Sequence, residues 1–450
     1  MKKILVLLIG FFMIFAASAD VFAGTTIGGT IDVRGRWRQN YDDLNNDRGQ
    51  STAYWEEKVN LWLDAKIAEG LSGYVELQSG RGTTDGFVAW GTARTTTDAA
   101  PNSMFNENRG LAFMEIRYAY IDFMIPKTPV GIKIGHFPVV LGHSIWVDTS
   151  YWGSDGLLIS SSPIKELMVG LGSLKVYETL SGAGNGAAAD TGVAVDRADI
   201  DLYTLFANYT FIPKNTAGFN LSYLHRAGKG ALSVGYDMSL YNFMLTADGA
   251  LDFGLGYKFE FDFQAGTLYD YASPALTDVT AGGFALLLGA TYGIADIVEA
   301  KFNFGYGSGD KISSADKNEG YFSFNNYGYT MVYEDIVGQK TGNSTLGAGD
   351  FGLNNTMYIN FGAGVTPMKN MSAGMDIFYL MSIEENYAGQ KKNIGFEVDL
   401  NFGYQIYKNL KWTFLAGYFM PGDHYETVNS TDTVKTDAAW AFEQVLSLGF

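Results

Sequence analysis

The chain has 450 residues and a formal net charge of -17, with 31 Lys and Arg residues against 48 Asp and Glu residues. It contains no cysteine, which excludes disulfides, thiolate metal sites, cysteine nucleophiles and a lipidated N-terminal cysteine. The acidic balance argues against nucleic acid as a partner, and a mean hydropathy of -0.00 is not that of a helical membrane protein. Its 55 glycines and 15% aromatic residues favour strands and tight turns instead.

Residues 1–23 have the pattern of a secretory signal peptide. Lys2 and Lys3 form the positive end, an apolar core follows, and cleavage is expected after Ala23, with Ala19 as the alternative. The apolar run is shorter than the roughly 20 residues that a spanning helix needs, which argues against a membrane anchor. We therefore expect export of a mature chain that comprises residues 24–450.

The first two predicted strands alternate between charged and apolar residues. In the first strand, residues 27–41, Arg34, Arg36 and Arg38 are separated by single residues. Side chains on a strand point to opposite faces with a period of two, so the three arginines share one face. The second strand, residues 54–68, places Lys58 and Lys66 on its polar face in the same way.

The clearest alternation comes near the end of the chain, in residues 393–421. From Ile394 to Ile406, every second residue is apolar or aromatic, and the residues between them are charged, amide or glycine. A short turn follows, and a second strand returns with Trp412, Phe414 and Tyr418 on its apolar face. A long hairpin with an apolar outside and a polar inside is the repeating unit of a transmembrane β-barrel.

Applied to the whole chain, the pattern predicts an all-β fold, in which residues 24–450 form one outer-membrane β-barrel domain. This is a transmembrane antiparallel β-barrel of about 18 strands, with 16 as the alternative count. The eight connections that are short are expected on the periplasmic side, and the nine long loops on the extracellular side. The predicted strands are 27–41, 54–68, 71–81, 110–125, 130–137, 155–161, 166–177, 199–212, 218–226, 231–245, 251–264, 282–292, 297–306, 353–365, 371–383, 393–406, 410–420 and 438–450.

A barrel of this size can enclose an aqueous channel, so the inward residues are candidates for its lining. The basic candidates concentrate early in the chain and the acidic ones late, which predicts a field across the lumen and an attraction for anions. The alternative is local pairing, for example between Lys58 and Asp64. The predicted basic lining is Arg34, Arg36, Arg38, Lys58, Lys66, Arg117 and Lys133, and the predicted acidic lining is Asp252, Glu260, Asp262, Glu397 and Asp399.

The last strand ends on an aromatic residue. One face carries Trp440, Phe442, Leu446, Leu448 and Phe450. This face resembles the C-terminal signal of outer-membrane barrel proteins, and the resemblance implies that the barrel assembly machinery recognises it. An ordinary edge strand that ends in Phe is the alternative.

Enzymatic and metal-binding signals are weak. Residues 162–165 match S-x-x-K but lie on a predicted turn without a supporting motif. Four histidines, His136, His143, His225 and His424, are too scattered to indicate zinc. The sequence therefore predicts no enzyme, no cofactor and no metal site.

Several short segments resemble a known family. Residues 395–400, 407–410 and 416–422, reading GFEVDL, YKNL and AGYFMPG, resemble the C-terminal part of alginate-export-type outer-membrane porins. Residues 132–136, IKIGH, with the later DGL at 155–157, are similar to a mid-chain pattern of that family, in which Arg is usual at the position of His136. The resemblance implies an 18-stranded barrel with a basic constriction that passes an anionic polysaccharide.

Together these patterns predict a porin in the outer membrane of a Gram-negative cell, through which small hydrophilic, preferentially anionic, solutes diffuse passively. The alternatives are an export channel for an acidic polysaccharide, an outer-membrane enzyme, and an adhesin or structural barrel with a plugged pore. Expected partners are outer-membrane lipid, lipopolysaccharide, the barrel assembly machinery and the solutes, and a homotrimer is left open as the oligomeric state.

Overall fold

A computed structural model of the chain describes residues 24–41, 44, 51–79, 87–88, 114–177, 199–227, 236–271, 273–295, 297–323, 328–334, 352–426, 428–429, 432–433 and 436–450. The predicted signal peptide and both of its cleavage positions lie outside these residues. Among the residues described, no helix is long and apolar enough to cross a membrane.

Eighteen antiparallel strands form one closed barrel, which confirms the predicted fold class. Each strand pairs with its neighbours in the chain, and the first strand also pairs with the last. The strands are β1 Thr25–Gln39, β2 Ser51–Ala68, β3 Leu71–Gln78, β4 Glu115–Met124, β5 Val130–Phe137, β6 Ser154–Ile164, β7 Leu167–Tyr177, β8 Ile200–Ile212, β9 Asn215–Arg226, β10 Tyr236–Ala250, β11 Leu255–Tyr271, β12 Phe284–Ala295, β13 Val298–Gly307, β14 Thr356–Met368, β15 Met371–Ser382, β16 Asn393–Tyr407, β17 Leu410–Pro421 and β18 Ala439–Gly449.

The connections alternate in length as predicted. One end of the barrel carries the short turns, such as Glu69 and Gly70 between β2 and β3, and we call it the short-turn end. The opposite end carries the longer connections, and we call it the long-loop end. The alternative of 16 strands is wrong because β9 and β10 are separate strands that pair antiparallel, with Arg226 opposite Met238.

The turn between β10 and β11 differs from its predicted position. It lies at 251–254 instead of 246–249, because β10 continues to Ala250 and pairs Asp248 with Lys258. Gly254 has a φ of +90°, a conformation that favours glycine and permits the turn there. Asp252 is therefore an exposed turn residue, which corrects its assignment to the channel lining, and Phe253 lies in the same turn.

The outer face of the barrel is apolar. Side chains such as Ile27, Ile134, Leu205 and Phe396 point outward and are exposed on the isolated chain. Because polar backbone groups are satisfied between neighbouring strands and the edges are closed, this surface suits the hydrocarbon core of a membrane.

The inner face of the barrel is not polar throughout, contrary to the expectation from the sequence. Near the long-loop end, the inward positions of β7 to β10 are apolar, and Leu174, Leu202, Leu224 and Leu240 are fully or almost fully buried. Segments of two long loops enter the barrel and pack against them, with Trp146 completely buried. The apolar core of this protein therefore lies inside the barrel, at its long-loop end.

The barrel closes where Phe450 meets Gly29. The backbone N–H of each residue donates to the backbone carbonyl of the other at 3.0 Å. A Cβ at position 29 would lie 2.5 Å from Cζ of Phe450, so the ring occupies space that only glycine leaves open. The terminal residue thus contributes packing and hydrogen bonds to the seam.

Deleting Phe450 should reduce the amount of assembled barrel severalfold, because it removes the terminal aromatic ring and both hydrogen bonds to Gly29. Heat-modifiable electrophoretic mobility of outer-membrane fractions measures this amount. Phe450→Tyr keeps the ring and serves as the control that should assemble normally. Wild-type levels of the deleted chain would contradict the predicted assembly role of the terminal residues.

Candidate channel lining and constriction

The three arginines of β1 lie at inward positions, and Arg34 and Arg36 pair with acidic residues on the neighbouring strands. Arg34 donates from Nε and Nη2 to Glu56 Oε1 of β2, both at 2.6 Å. Arg36 donates from Nε to Glu443 Oε2 of β18 at 2.8 Å and lies 3.6 Å from Glu56 Oε1. The strand register explains these pairs, because Arg34 lies opposite Glu56 and Arg36 lies opposite Glu443.

Other predicted basic residues also lie close to acidic side chains. Lys58 lies 3.7 Å from Asp32, not beside the predicted partner Asp64. Arg117 lies at a β-bulge in the pairing of β4 with β3, and its side chain donates to Glu76 at 2.8 Å. The side chains share their faces with acids, so this wall presents alternating charges instead of a bare row of cations.

Lys133 lies 3.5 Å from Asp122 and also sits over the Tyr120 ring, with Nζ 4.8 Å from its centroid. Lys66 is exposed at the short-turn end of β2, and Arg38 takes the inward position nearest the long-loop end of β1. The structure thus brings Arg34 and Arg36 together at the seam, while Arg117 and Lys133 stand on β4 and β5.

The predicted acidic residues of β11 and β16 point inward, but they do not line a water-filled wall. Glu260, Asp262 and Glu397 have 0% of their surface exposed, because loop segments cover them. This corrects their assignment to an open channel surface. Asp399 is half-buried beside Glu397 and faces the same covering segment.

One covering segment is residues 138–149, the connection after β5, which we call the first inner loop. Its small hairpin pairs Val140–Leu141 with Val147–Asp148. The backbone N–H of His143 donates to Glu260 Oε2 on the far wall. Gly142 has a φ of +58°, and a Cβ there would lie 2.5 Å from Glu260 Oε2, so glycine allows this close approach.

The connection between β13 and β14 supplies two further covering segments. The first of these segments contains Phe322, which forms two hydrogen bonds with the Gln264 side chain of β11. The backbone N–H of Phe322 donates to Gln264 at 2.9 Å, and the Phe322 carbonyl accepts from Gln264 at 2.6 Å. The second of these segments is residues 328–334, which we call the second inner loop. It lies over the inner face of β16 and β17, where Tyr333 packs against Phe419.

The second inner loop is held by carboxylates. Val332 and Tyr333 donate their backbone N–H groups to the two oxygens of Glu397, at 2.5 and 2.9 Å. Met331 donates in the same way to Asp399 Oδ2 at 3.1 Å. Three successive N–H groups therefore donate to two carboxyl side chains, which anchor the second inner loop to β16.

Water reaches the barrel interior away from these loops. Lys58, Lys133 and Asp122 keep 22%, 30% and 44% of their side-chain surface exposed. On the other side of the barrel, Lys301 and Asp376 form a 2.9 Å pair that is also partly exposed. A cavity of about 420 Å³ adjoins that pair near the short-turn end, and another of about 490 Å³ lies below the first inner loop. The short-turn half of the lumen is thus polar and hydrated.

The histidines remain apart in the described part of the chain. His136 Nδ1 is 3.0 Å from Asp155 Oδ1, and His424 is buried, with Nδ1 2.8 Å from the carbonyl of Lys391. Burial lowers the pKa of His424, so this ring is neutral at pH 7. No group of three or more His, Cys, Asp or Glu side chains among the described residues could hold a metal ion.

Sequence reasoning missed the acids that compensate the arginines. Glu56 and Glu443 lie on the polar faces of alternating strands, and register places them opposite Arg34 and Arg36. Alternation alone does not find Glu56, because residues 40–50 join β1 to β2 at the long-loop end, and a connection of that length does not fix the register of a hairpin. Glu443 could be found only by pairing the first strand with the last.

No protein-family model and no curated protein sequence matches the chain. Solved structures match along almost its full length. The chain is similar to Acinetobacter baumannii OccAB4, with a TM-score of 0.57 and 11% identity over 95% of this chain and 98% of that one. Similarity to Pseudomonas aeruginosa OpdL gives 0.56 and 11% over 95% and 99%, and to P. aeruginosa OccK9 (OpdG) 0.57 and 12% over 96% and 99%. At this identity the likeness establishes the fold.

Proposed function

We propose that the chain is an outer-membrane channel for the passive diffusion of small hydrophilic solutes, exported with residues 1–23 as a cleaved signal. The observation that carries the proposal is the hydrated, charged interior of the short-turn half, where paired side chains such as Lys133 and Asp122 stay in contact with water. The Occ and Opd structures of similar fold are outer-membrane porins, which supports the same assignment.

The inner loops make this a narrow channel. The first and second inner loops enter the barrel and bury Trp146 and Tyr333 against its wall. Solutes would pass beside these loops, along the wall of β1 to β5, where the ion pairs stand. A narrow path favours small solutes over the long acidic polysaccharide implied by the resemblance to alginate-export-type porins.

We propose a weaker preference for anions than the sequence predicts. Arg34, Arg36 and Lys58 each have an acidic partner within 4.0 Å, so their fields largely cancel at a distance. We therefore expect only a modest anion preference along this wall. The predicted partners, lipid and lipopolysaccharide outside, the assembly machinery, and a homotrimer, are part of the same proposal.

A barrel that is plugged at rest is the second candidate, favoured by the completely buried Trp146, Tyr321 and Tyr333 inside it. Single-channel recording in planar bilayers separates the two. Discrete conductance steps from the purified wild-type protein support the channel. Bilayers that incorporate folded protein but stay silent at all voltages favour the plugged barrel and contradict the channel.

Replacing Arg34, Arg36 and Arg38 together with Ser should shift the reversal potential toward cation preference. The change removes three cations and leaves Glu56 and Glu443 without their partners, so the wall becomes acidic. The measurement is made in a salt gradient at low ionic strength, where screening is weak. The control replaces Lys165, Lys369 and Lys408 in three short turns, and this variant should keep wild-type selectivity. Equal reversal potentials for both variants would contradict a selective role for the arginines.

A further inference from the structure

The cavity of about 490 Å³ below the first inner loop lies against the inner face of β6 to β10. Glycine at two inward positions, Gly170 on β7 and Gly218 on β9, leaves room for it. Neighbouring side chains lie over both glycines, and residues 138–143 of the first inner loop line the other side. Sites for small ligands have volumes of about 300–1,000 Å³, so the chemistry of the lining decides what this cavity can bind.

One side of the cavity is apolar. The Phe206 ring lies over Gly170, where a Cβ would overlap it, and the rest of the ring lines the cavity. Met168 and Val140 also line it, and they keep 40% and 48% of their surface exposed inside the barrel. Apolar surface that is exposed in this way favours a ligand with an apolar part, because contact with the ligand removes both surfaces from water.

The other side of the cavity is polar. A Cβ at Gly218 would overlap Thr246 Oγ1 and would lie 2.8 Å from Asn208 Oδ1, so the two oxygens converge over the same glycine. Neither side chain forms a hydrogen bond with another residue that the structure describes. Both oxygens therefore remain available to accept hydrogen bonds from a ligand.

Asp248 borders the same polar side, and its carboxylate is exposed. Among the described residues it has no hydrogen-bond partner and no ion pair. Lys258 is opposite Asp248 in the register, but its side chain lies over Gly289 on β12, where a Cβ would be 2.5 Å from Lys258 Cε. The nearby His143 ring adds no positive charge at pH 7, because burial lowers its pKa. The cavity thus offers a negative charge that no lining residue compensates.

The two sides of the cavity together fit one class of ligand. An ammonium group carries a positive charge and several N–H donors, which suits a carboxylate beside two neutral oxygen acceptors. Phe206 lies two residues from Asn208 along β8, about 7 Å toward the long-loop end, which matches a chain of about four carbon atoms. An anionic ligand would instead be repelled by Asp248.

We propose that this cavity binds a small organic ammonium ion that carries an apolar chain. Asp248 holds the charged head, Asn208 and Thr246 accept its N–H groups, and the chain packs against Phe206 and Val140. The site depends on the barrel wall and the first inner loop, so it exists whether or not the pore conducts. It is separate from the ion pairs of β1 to β5.

Saturation-transfer NMR on the purified full-length protein in a neutral detergent tests the site, with protein-free micelles as the blank. We expect n-butylammonium to bind saturably at millimolar concentration. Methylammonium lacks the chain, n-butanol lacks the charge and butyrate has the opposite charge, so each should bind at least tenfold more weakly. Asp248→Asn should weaken n-butylammonium binding at least tenfold and leave n-butanol binding unchanged. Glu299→Gln removes an exposed carboxylate from the other cavity and is the matched control, which should bind as the wild type does.

The outcomes decide the proposal without reference to transport. Binding that Asp248→Asn weakens and Glu299→Gln retains supports it. Wild-type protein that gives no saturable signal above the micelle blank overturns it. Equal affinity for butyrate, which would indicate apolar partitioning alone, also overturns it, as does an equal loss in both variants, which would indicate a general attraction of cations to the lumen. If Asp248→Asn fails to assemble, Asn208→Ala and Val140→Ser replace it, and unchanged affinity in these two variants overturns the site.

Discussion

Changing Glu56 and Glu443 together to Gln should convert the channel to strong anion preference. Both carboxylates lie within 4.0 Å of arginine nitrogens, and they compensate Arg34 and Arg36. Two unit charges 4 Å apart interact by about 1 kcal/mol in a water-like medium, and more in a narrow pore. Since 1.4 kcal/mol corresponds to about a tenfold change, the anion-to-cation permeability ratio should rise about fivefold or more. Reversal potentials in a salt gradient measure the ratio.

Two other carboxylates provide the control. Glu69 and Glu166 are exposed in short turns, and changing both to Gln removes the same charge outside the barrel wall. This variant should keep the wild-type permeability ratio. If the Glu56 and Glu443 variant also keeps it, solutes do not pass along the arginine wall, and the proposed path is wrong.

Changing Glu397 to Ala should release the second inner loop and raise the single-channel conductance severalfold. The substitution removes both acceptors of the Val332 and Tyr333 N–H groups, which lie in a buried environment. A buried donor left unsatisfied costs about 1–3 kcal/mol, so the loop is expected to leave the wall and bond to water instead. Planar-bilayer recording detects the larger steps.

The control for this prediction is Glu299→Gln. Glu299 is an exposed carboxylate on the inner face of β13 near the short-turn end. Its change to Gln removes an exposed carboxylate from the lumen without touching a loop. A conductance increase in both variants would indicate an effect of charge, and no increase in the Glu397 variant would show that the loop stays in place without its carboxylate.

The strands were predictable because the barrel wall has two different environments on its two faces. Lipid on one side and a polar interior on the other impose a period of two, and the prediction for β5, residues 130–137, has the observed bounds. The period of two gives no strand boundary where that contrast is absent. At the end of β10, Thr246 and Ala250 have turn-like neighbours, and only pairing with β11 shows that the strand continues.

The contents of the lumen were less predictable than its wall. Alternation correctly assigned Glu260 and Glu397 to the inner face, but it carries no information about a loop that folds back over them. Backbone N–H groups of Val332 and His143 bind these acids, and a backbone donor has no residue-type signature. The general rule that a porin interior is polar likewise does not hold at Leu202 and Leu240, which are buried beneath packed loops.

The pairing of Arg36 with Glu443 has a consequence for the order in which the chain folds. The two residues are 407 positions apart, whereas Arg34 and Glu56 are separated by only 22. The nearer pair can form in the first hairpin, while Glu443 becomes available only after all the intervening strands have been placed. Contacts between such distant positions form slowly, because loop closure must precede them. Charge balance at Arg36 is therefore completed last, and an unclosed intermediate carries a more cationic first strand than the finished protein.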